Sequence, residues 1–329
     1  MPENKNMNPR FGKSESELSA FLPLERAQLS NCSLCPRNCY ADRFSEKLGY
    51  CNSDAGFNIS SICVHKGEEP VISGVKGICN VFFPHCNLQC VYCQNHDISR
   101  NKGIDYAENL LFEEVIQRIC TILEETENIV GFVSPSHYIP QMTAIIRGIH
   151  QAGKYPVFVY NTNGYDKVET LRMLEGLIDV FLPDFKYMDS SLAFNYSQAR
   201  NYPEVASAAL KEMYRQKGST LIVNDNGVAE SGIIVRHLVL PGAADQSIEA
   251  LKFIAEEISP KLHVSLMSQY YPTDLVRNHP VLKRTITPAE YNKVVEAFHS
   301  LGFYRGWVQD LESHASYRPD FSNDKPFGL

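Results

Sequence analysis

The sequence has no long apolar run and no excess of basic residues. No uninterrupted hydrophobic stretch approaches the roughly 20 residues that a helix needs to cross a bilayer, although 44% of the 329 residues are hydrophobic. Acidic residues outnumber basic ones by 38 to 31, which gives a net charge of -7. Nucleic-acid-binding surfaces instead concentrate lysine and arginine on one face. We therefore expect neither a membrane nor a nucleic acid as a partner.

A secretion signal is also missing from the first residues. Met1–Asn6 are polar, and no apolar core with a small-residue cleavage site follows them. Because disulfides form mainly in oxidising compartments, a disulfide framework is a weaker interpretation of the cysteines than a metal site. The sequence predicts a cytoplasmic protein.

Cysteine, by contrast, is abundant and clustered. The chain has 10 cysteines, and most lie in two tight groups, which indicates metal binding. The isolated ones are expected to be small buried hydrophobes. The first group is a C-x3-C-x2-C loop formed by Cys86, Cys90 and Cys93. The second group, here called the N-terminal quartet, consists of Cys32, Cys35, Cys39 and Cys51.

The first group follows the apolar run 78–83 and supplies three thiolates, one fewer than the irons of a cubane. The remaining iron is then open to a small chelating molecule. Zinc completed by His85 or His96 is the alternative. However, structural zinc sites have four closed ligands and usually pair two short cysteine motifs across a longer spacer. The loop therefore predicts a [4Fe-4S] cluster with one open iron.

The N-terminal quartet supplies four thiolates, a complete set for tetrahedral zinc or for a second cubane. Zinc would stabilise a small loop-rich segment, because metal binding contributes folding free energy where the core is thin. A cluster would instead serve as an electron relay or a substrate ligand. Zinc, an iron-sulfur cluster and free thiols all stay open as interpretations.

Short apolar runs alternate with amphipathic stretches after residue 78, a pattern typical of βα units and a parallel sheet. Strands are predicted at 78–83, 129–133, 156–160, 179–182, 233–240 and 263–267. Helices are predicted at 109–126, 140–152, 167–177, 203–216, 246–258 and 288–301. Asn226 and Gly227 predict a hairpin turn between 221–223 and 233–235. Six βα strands are two short of a closed barrel, so we expect an α/β fold with an open, partial (βα)6 barrel.

The chain is predicted to divide into four segments. Residues 1–28 are predicted to be a flexible N-terminus, and residues 29–77 a cysteine-rich metal-binding module. The partial barrel is assigned to 78–272, and a C-terminal helix with a covering tail to 273–329. The tail is expected to cover part of the barrel.

Polar residues follow the predicted strands, where the chemistry of βα barrels collects. They are Ser134 and His137 after the second strand, Asn163 after the third, Asp184 and Lys186 after the fourth, Arg236 on the fifth, and Gln269 and Tyr270 after the sixth. Each has an ordinary structural interpretation as well. Asn163 and Asp184 can simply form turns, Lys186 can be a surface lysine, and His137 can be a hydrogen-bonded structural histidine.

The cysteine loop, with Tyr92 directly before its third cysteine, resembles the radical S-adenosylmethionine (SAM) enzymes. Residues 78–272 are similar to the activating enzymes of glycyl radical proteins, typified by the pyruvate formate-lyase activating enzyme. The N-terminal quartet resembles that of a subfamily of their homologues. The resemblance implies that the cluster cleaves SAM reductively to methionine and a 5′-deoxyadenosyl radical, which abstracts hydrogen from a substrate.

The same resemblance implies partners and a SAM pocket. The electron donor would be a flavodoxin or ferredoxin, and a glycyl radical protein or a peptide is a candidate substrate. Asn163, in Thr162-Asn163-Gly164, and Asp184 match family positions near the methionine moiety. Lys186, a compact cation, is expected at the SAM carboxylate, and Arg236 is expected in the same pocket.

The adenine and the amino group of SAM have their own expected contacts. Tyr92, with Gln269 or Tyr270 opposite, is expected to pack near the adenine. The Gly-Gly-Glu stretch of the family does not occur after the second strand, so the main-chain carbonyls of Val133 and Ser134 are expected to receive the amino group. The rival hypothesis is a non-catalytic iron-sulfur or zinc protein that carries electrons or recruits a partner and has no use for a SAM pocket.

Overall fold

The computed structural model describes residues 18–103, 107–315, 318–323 and 325–327. Its strands are β1 (Phe57–Ile59), β2 (Ser61–His65), β3 (Ile78–Phe82), β4 (Glu108–Leu110), β5 (Ile129–Val133), β6 (Val157–Thr162), β7 (Val180–Pro183), β8 (Ile222–Val223), β9 (Ala229–Leu238), β10 (His263–Met267) and β11 (Gly306–Val308). Its helices are α1 (Pro23–Ser30), α2 (Pro70–Ser73), α3 (His96–Ser99), α4 (Phe112–Leu123), α5 (Ile139–Gln151), α6 (Val168–Met173), α7 (Ser190–Ser197), α8 (Tyr202–Lys217), α9 (Ala244–Phe253) and α10 (Pro288–Ser300).

One sheet organises the molecule, in the order β11-β10-β9-β7-β6-β5-β3-β2. Strands β3, β5, β6, β7, β9 and β10 are parallel to one another, and helices connect them. Every residue of β3 and β5 is buried, as expected for parallel strands covered on both faces. The predicted α/β fold with a partial (βα)6 barrel is therefore confirmed.

The elements that were not predicted include the two edge strands of this sheet and helix α7. Strand β2 pairs antiparallel with β3, so the sheet begins before the predicted boundary at residue 78. Strand β11 pairs parallel with β10 at the other edge. Helix α7 begins after Asp189, whose carboxylate accepts a hydrogen bond from the Leu192 amide at 2.6 Å. This N-cap is a signal that the sequence carries.

The predicted hairpin forms with a different register. Val223 pairs with Ala229, and Ile222 pairs with Ser231, whereas the prediction paired 221–223 with 233–235. The turn is closed by the amide of Gly227, which donates to the Asn224 carbonyl at 2.9 Å. Residues 233–235 instead lie in the middle of β9 and pair with β10 and β7.

A flexible N-terminus was predicted for residues 1–28, of which residues 1–17 lie outside the described part of the chain, and the structure places helix α1 at Pro23–Ser30. Helix α1 opens with a proline, and the Glu25 carboxylate accepts a hydrogen bond from the Leu22 amide at 2.7 Å. Leu29 is fully buried. Glu25 also forms an ion pair at 2.6 Å with Arg147 on α5, which fixes the helix against the barrel.

The C-terminal tail lies over one side of the barrel. Phe321 and Phe327 pack against Phe82 of β3, with ring centroids 5.3 and 5.6 Å apart. Val133, at the end of β5, belongs to the same apolar cluster. Within the described ranges, no helix combines the length and the apolar character needed to span a membrane.

Candidate functional site

A cavity of about 200 Å³ opens at the carboxyl ends of the barrel strands. Its lining includes eight residues predicted for the SAM pocket, which are Tyr92, Val133, Ser134, Asn163, Asp184, Lys186, Arg236 and Gln269. Cys86, Cys90 and Cys93 line the same cavity. Residues far apart in the chain therefore meet around one space, as the parallel βα architecture predicts.

Each sulfur of the cysteine loop has a hydrogen-bond partner. The Cys86 sulfur accepts from the Leu88 amide at 3.3 Å and from Asn163 Nδ2 at 3.2 Å. The Cys93 sulfur accepts from the Ser99 hydroxyl at 3.2 Å. Cys90 Sγ and Ser197 Oγ lie 3.0 Å apart. Hydrogen bonds to thiolate sulfur tune the potential of a bound cluster, so these surroundings suit cluster ligands.

The histidines proposed for a zinc site do not line this cavity. His85 Nδ1 lies 2.8 Å from the Arg100 carbonyl, and His96 pairs with Asp97 at 3.4 Å. Within the described ranges, no three His, Cys, Asp or Glu side chains form a group able to hold a single metal ion. In a cubane, by contrast, each thiolate binds its own iron.

Two cations and two carboxylates form a network on the cavity wall. Asp184 accepts from Lys186 Nζ at 2.8 Å and from Arg236 Nε at 3.0 Å. Arg236 also donates to Glu68 at 3.1 Å and to Asn161 Oδ1 at 2.6 Å. The side chains of Lys186 and Asp184 are only 15% and 21% exposed, so water screens their charges little.

This network keeps Lys186 and Asp184 charged. Burial alone would lower the pKa of Lys186, but the Asp184 carboxylate raises it above the ordinary value. Burial would likewise raise the pKa of Asp184, but Lys186 and Arg236 together hold it below its usual range. Lys186 has three N–H donors, and its hydrogen bond to Asp184 leaves donors for an anionic ligand group.

Glu68 was missed by sequence reasoning. It comes from the connection between β2 and α2, before the predicted barrel, and its side chain is 7% exposed. Its carboxylate accepts from Arg236 Nη1 and, at 2.9 Å, from Asn80 Nδ2. A Cβ at Gly131 would lie 2.1 Å from Asn80 Oδ1. Only glycine on β5 therefore leaves room for the amide that helps to hold Glu68.

The turn after β6 is held by the cysteine loop and by the segment that follows β7. Asn163 Nδ2 donates to Asn87 Oδ1 at 2.7 Å, and this ties the turn to the cysteine loop. Gly164 has a φ of +80°, and a Cβ there would lie 2.3 Å from the Asp184 carbonyl. The Tyr202 hydroxyl donates to the carbonyl of Asn163 and is near that of Asp184. Asn163 therefore does more than form a turn.

The aromatic wall differs in part from the prediction. Tyr92 is 5% exposed, and its hydroxyl is hydrogen-bonded to that of Tyr187. Gln269 lines the cavity, and its carbonyl accepts from Gln94 at 2.8 Å. Tyr270 does not line the cavity. It lies behind Tyr92, at a centroid distance of 6.2 Å, and donates to the Leu282 carbonyl.

Backbone shape at the end of β5 is unusual. Ser134 adopts a left-handed conformation (φ 52°, ψ 49°), and its amide donates to the Asn161 carbonyl at 2.8 Å. Non-glycine residues rarely take this conformation, and it is enriched at functional sites. The strand thus ends abruptly, with Val133 and Ser134 both at the cavity.

The N-terminal quartet surrounds a second, smaller cavity. Cys32, Cys35, Cys39 and Cys51 line it together with Arg37, Arg43 and His137. Burial raises the pKa of the Cys35 thiol to about 12. Burial also lowers the pKa of His137 to about 3, and its Nε2 lies 2.9 Å from the Pro84 carbonyl. His137 is therefore a neutral structural histidine at the quartet, not a residue of the larger cavity.

No family model matches the chain, but a relative found by sequence shows which family it belongs to. The uncharacterized protein MJ0674 of Methanocaldococcus jannaschii is 30% identical over 275 residues, which cover 81% of this chain and 73% of that protein.

Two solved structures match part of the chain at low identity. A structure of anSMEcpe with bound AdoMet has a TM-score of 0.45 and 13% identity, and the match covers 67% of this chain and 59% of that one. Streptococcus suis SuiB bound to precursor peptide SuiA has a TM-score of 0.44 and 14% identity, over 67% and 44% of the two chains. The chain thus spans about half the length of these structures.

Proposed function

The chain belongs to the family of the uncharacterized protein MJ0674, and we propose that it is a radical SAM enzyme. The observation that carries the proposal is the joint lining of one cavity by three clustered cysteines and four charged side chains. When bound, a [4Fe-4S] cluster and SAM supply one-electron cleavage to methionine and a 5′-deoxyadenosyl radical that abstracts hydrogen from the substrate.

Cys86, Cys90 and Cys93 are the proposed cluster ligands. They are three thiols on one loop, and the sulfurs of Cys86 and Cys93 already accept hydrogen bonds from the protein. Three protein ligands leave one iron for SAM. These donors, and a cavity directly beside them, fit an open cluster better than a closed structural ion.

The charged wall suits the methionine part of SAM, which carries a carboxylate, an ammonium and a sulfonium. Lys186 is proposed to donate to the carboxylate, because Asp184 holds it as a cation inside the cavity. The carbonyls of Val133 and Ser134 are proposed to accept from the ammonium. Glu68 supplies the nearby negative charge that the sequence did not show after the second strand.

The aromatic side of the cavity is proposed to take the adenine. Tyr92 is held from behind by Tyr187 and Tyr270, so its ring is fixed before any ligand binds. Gln269 offers an amide on the other side of the cavity. Asn163 and Arg236 are proposed to position these groups, the first through the cysteine loop and the second through Asp184.

The substrate and the partners are proposed on the family resemblance. An electron donor of the flavodoxin or ferredoxin class supplies the reducing electron, and a glycyl radical protein or another protein or peptide is the candidate hydrogen donor. A cytoplasmic location agrees with the use of such donors. The rival function, a non-catalytic electron carrier or recruiting module, gives no role to the buried pair of Lys186 and Asp184.

The direct test is anaerobic reconstitution with iron and sulfide, followed by dithionite and SAM. The proposal predicts 5′-deoxyadenosine and methionine in equal amounts. A protein that binds iron but forms no 5′-deoxyadenosine, and that shows no binding of SAM by calorimetry, would favour the carrier.

A further inference from the structure

The N-terminal quartet is a second cluster of metal-ligating side chains outside the proposed SAM site. We propose that Cys32, Cys35, Cys39 and Cys51 hold a second [4Fe-4S] cluster, through which an electron from a flavodoxin or ferredoxin reaches the catalytic loop. This inference rests on the proposed function, because the electron is useful only if the loop at Cys86 holds a reducible centre.

The chain is folded so that the four thiols face one space. Cys32 is held by a two-residue bridge to Ala41, in which the Cys32 amide donates to the Ala41 carbonyl at 2.9 Å. A Cβ at Gly49 would lie 2.8 Å from the Cys39 Cβ and 3.0 Å from its sulfur. Glycine there therefore leaves room for Cys39 beside the cavity. These contacts fix Cys32 and Cys39 beside the cavity that Cys35 and Cys51 also line.

Two arginines beside this cavity call for negative charge. Arg43 is 2% exposed, and its guanidinium donates to the carbonyls of Ser53, Asp54 and His137. No carboxylate among the residues that the structure describes forms an ion pair with it. A buried cation is costly unless an anion compensates it, and neutral thiols supply none. A cubane bound by four thiolates would bring a net negative charge next to Arg43.

Arg37 links the quartet to the catalytic loop. Its Nε donates to the carbonyl of Asn87, next to Cys86, at 2.8 Å, and its guanidinium stacks on Tyr50 at 3.8 Å. Its Nη2 is buried without a hydrogen-bond partner among the described residues. An orphaned buried donor is rare in a complete site. The sulfurs of a bound cluster are acceptors that would satisfy it.

A chain of hydrogen bonds runs from the quartet to the cysteine loop. The Tyr50 amide donates to the Cys39 sulfur at 3.2 Å, and the Tyr50 carbonyl accepts from Asn101 Nδ2 at 2.8 Å. Asn101 Oδ1 in turn accepts from the Cys86 amide at 3.1 Å. Tyr50 and the side chain of Asn101 therefore connect Cys39 of the N-terminal quartet to Cys86 of the cysteine loop.

This placement favours a redox centre over zinc. Cys39 is exposed whereas Cys35 and Cys51 are buried, so the site is open to a docking donor at Cys39, the same ligand from which the hydrogen-bond chain to Cys86 starts. A structural zinc ion has no redox chemistry, so it needs neither an exposed ligand nor a connection to the catalytic loop. In the proposed step the donor loses one electron, the second cluster gains it and then returns to its oxidised state as the catalytic cluster is reduced.

The experiment compares metal content and electron source in the full chain. Wild type should contain about eight irons per chain after reconstitution, and the double variant Cys35→Ala/Cys51→Ala about four, because each cubane holds four irons. The variant should still form 5′-deoxyadenosine with dithionite but lose at least about tenfold with reduced flavodoxin. Cys63→Ala, a buried cysteine in β2 outside both groups, is the matched control and should match wild type in all three measurements.

A second variant guards against misfolding of the module. Cys39→Ser, at an exposed position, should keep the chain folded and shift the spin signal of the second cluster, since serine oxygen replaces a thiolate. Zinc bound in wild type, an unchanged iron count in the double variant, or equal loss with both electron sources would overturn the relay. Absence of 5′-deoxyadenosine in wild type with dithionite would instead overturn the proposed function.

Discussion

The two cysteine groups lie beside each other but have opposite surroundings. The loop of Cys86, Cys90 and Cys93 opens onto a large cavity with two cations and two carboxylates on its wall. The N-terminal quartet encloses a small cavity whose charged neighbours are the arginines Arg37 and Arg43. The number of thiols predicts one open and one closed centre, and the surroundings give each a different task. We propose that the first receives a ligand and that the second holds a closed metal centre that passes electrons to the first.

Removing a ligand from the open site gives the largest expected effect. Cys90→Ala leaves two thiols on the loop and breaks the contact with Ser197, so the catalytic cluster should not assemble. SAM cleavage should fall to the assay background while the quartet keeps its iron. Iron content and 5′-deoxyadenosine, measured beside the control Cys120→Ser on helix α4, check this. Loss of all iron would show that the two sites do not assemble independently.

Next in size is the loss of the cation that faces the ligand. Lys186→Gln removes a charge-assisted hydrogen bond, so SAM should bind about 10- to 100-fold more weakly, with the iron count unchanged. Asp184 keeps Arg236 as a partner, so the fold should persist. Calorimetry on the reconstituted protein measures the affinity. Lys211→Gln, which breaks an exposed pair with Glu257, is the control, and equal affinities in the two variants would contradict the role of Lys186.

A smaller effect is expected at the carboxylate that the sequence did not show. Glu68→Gln keeps the shape of the side chain but removes the negative charge paired with Arg236. SAM should bind about tenfold more weakly, the worth of one hydrogen bond to a charged group. If Glu68 acts on the ammonium, wild type should discriminate against a SAM analogue without the amino group, and the variant should discriminate less. Glu249→Gln on α9 is the control, and undiminished discrimination would exclude this role.

The smallest expected effect is the part of the pH dependence of stability that His237 contributes. Burial lowers the pKa of His237, whose Nδ1 lies 2.6 Å from the Phe185 carbonyl, to about 4. The unfolded chain takes up this proton near pH 6.5, whereas the folded chain stays neutral until about pH 4. Stability is therefore lost as pH falls, on the order of 1 kcal/mol between pH 7 and pH 6. Urea unfolding should show a flatter pH profile in His237→Gln than in wild type or in His299→Gln, and equal slopes would contradict it.

Sequence periodicity predicted the parallel strands because each is a short apolar run bounded by turn residues. The predicted strand 129–133 matches β5, and 263–267 matches β10. The two edge strands were not predicted, because β2 is only half-buried and β11 is short and largely exposed. Their apolar signal is weak, so pairing with an existing strand decides their conformation.

Strand ends predicted most of the candidate site, because the carboxyl ends of parallel strands converge. Asp184 and Lys186 are examples, since both lie within three residues of the end of the buried strand β7. Glu68 follows no barrel strand and reaches the cavity only because β2 joins the sheet beside β3. His137 and Tyr270 follow strands, yet both turn away from the cavity, because a strand end fixes position along the barrel but not side-chain direction.

The spin signal of the catalytic cluster tests the central claim most directly. In the Cys35→Ala/Cys51→Ala variant, reduced with dithionite, only the cluster at Cys86, Cys90 and Cys93 contributes. If its fourth iron is open to SAM, adding SAM should change the signal, and Lys186→Gln in the same background should require more SAM for the same change. A signal that SAM leaves unaltered at saturating concentration would mean that a protein side chain already occupies that iron, and would contradict the account.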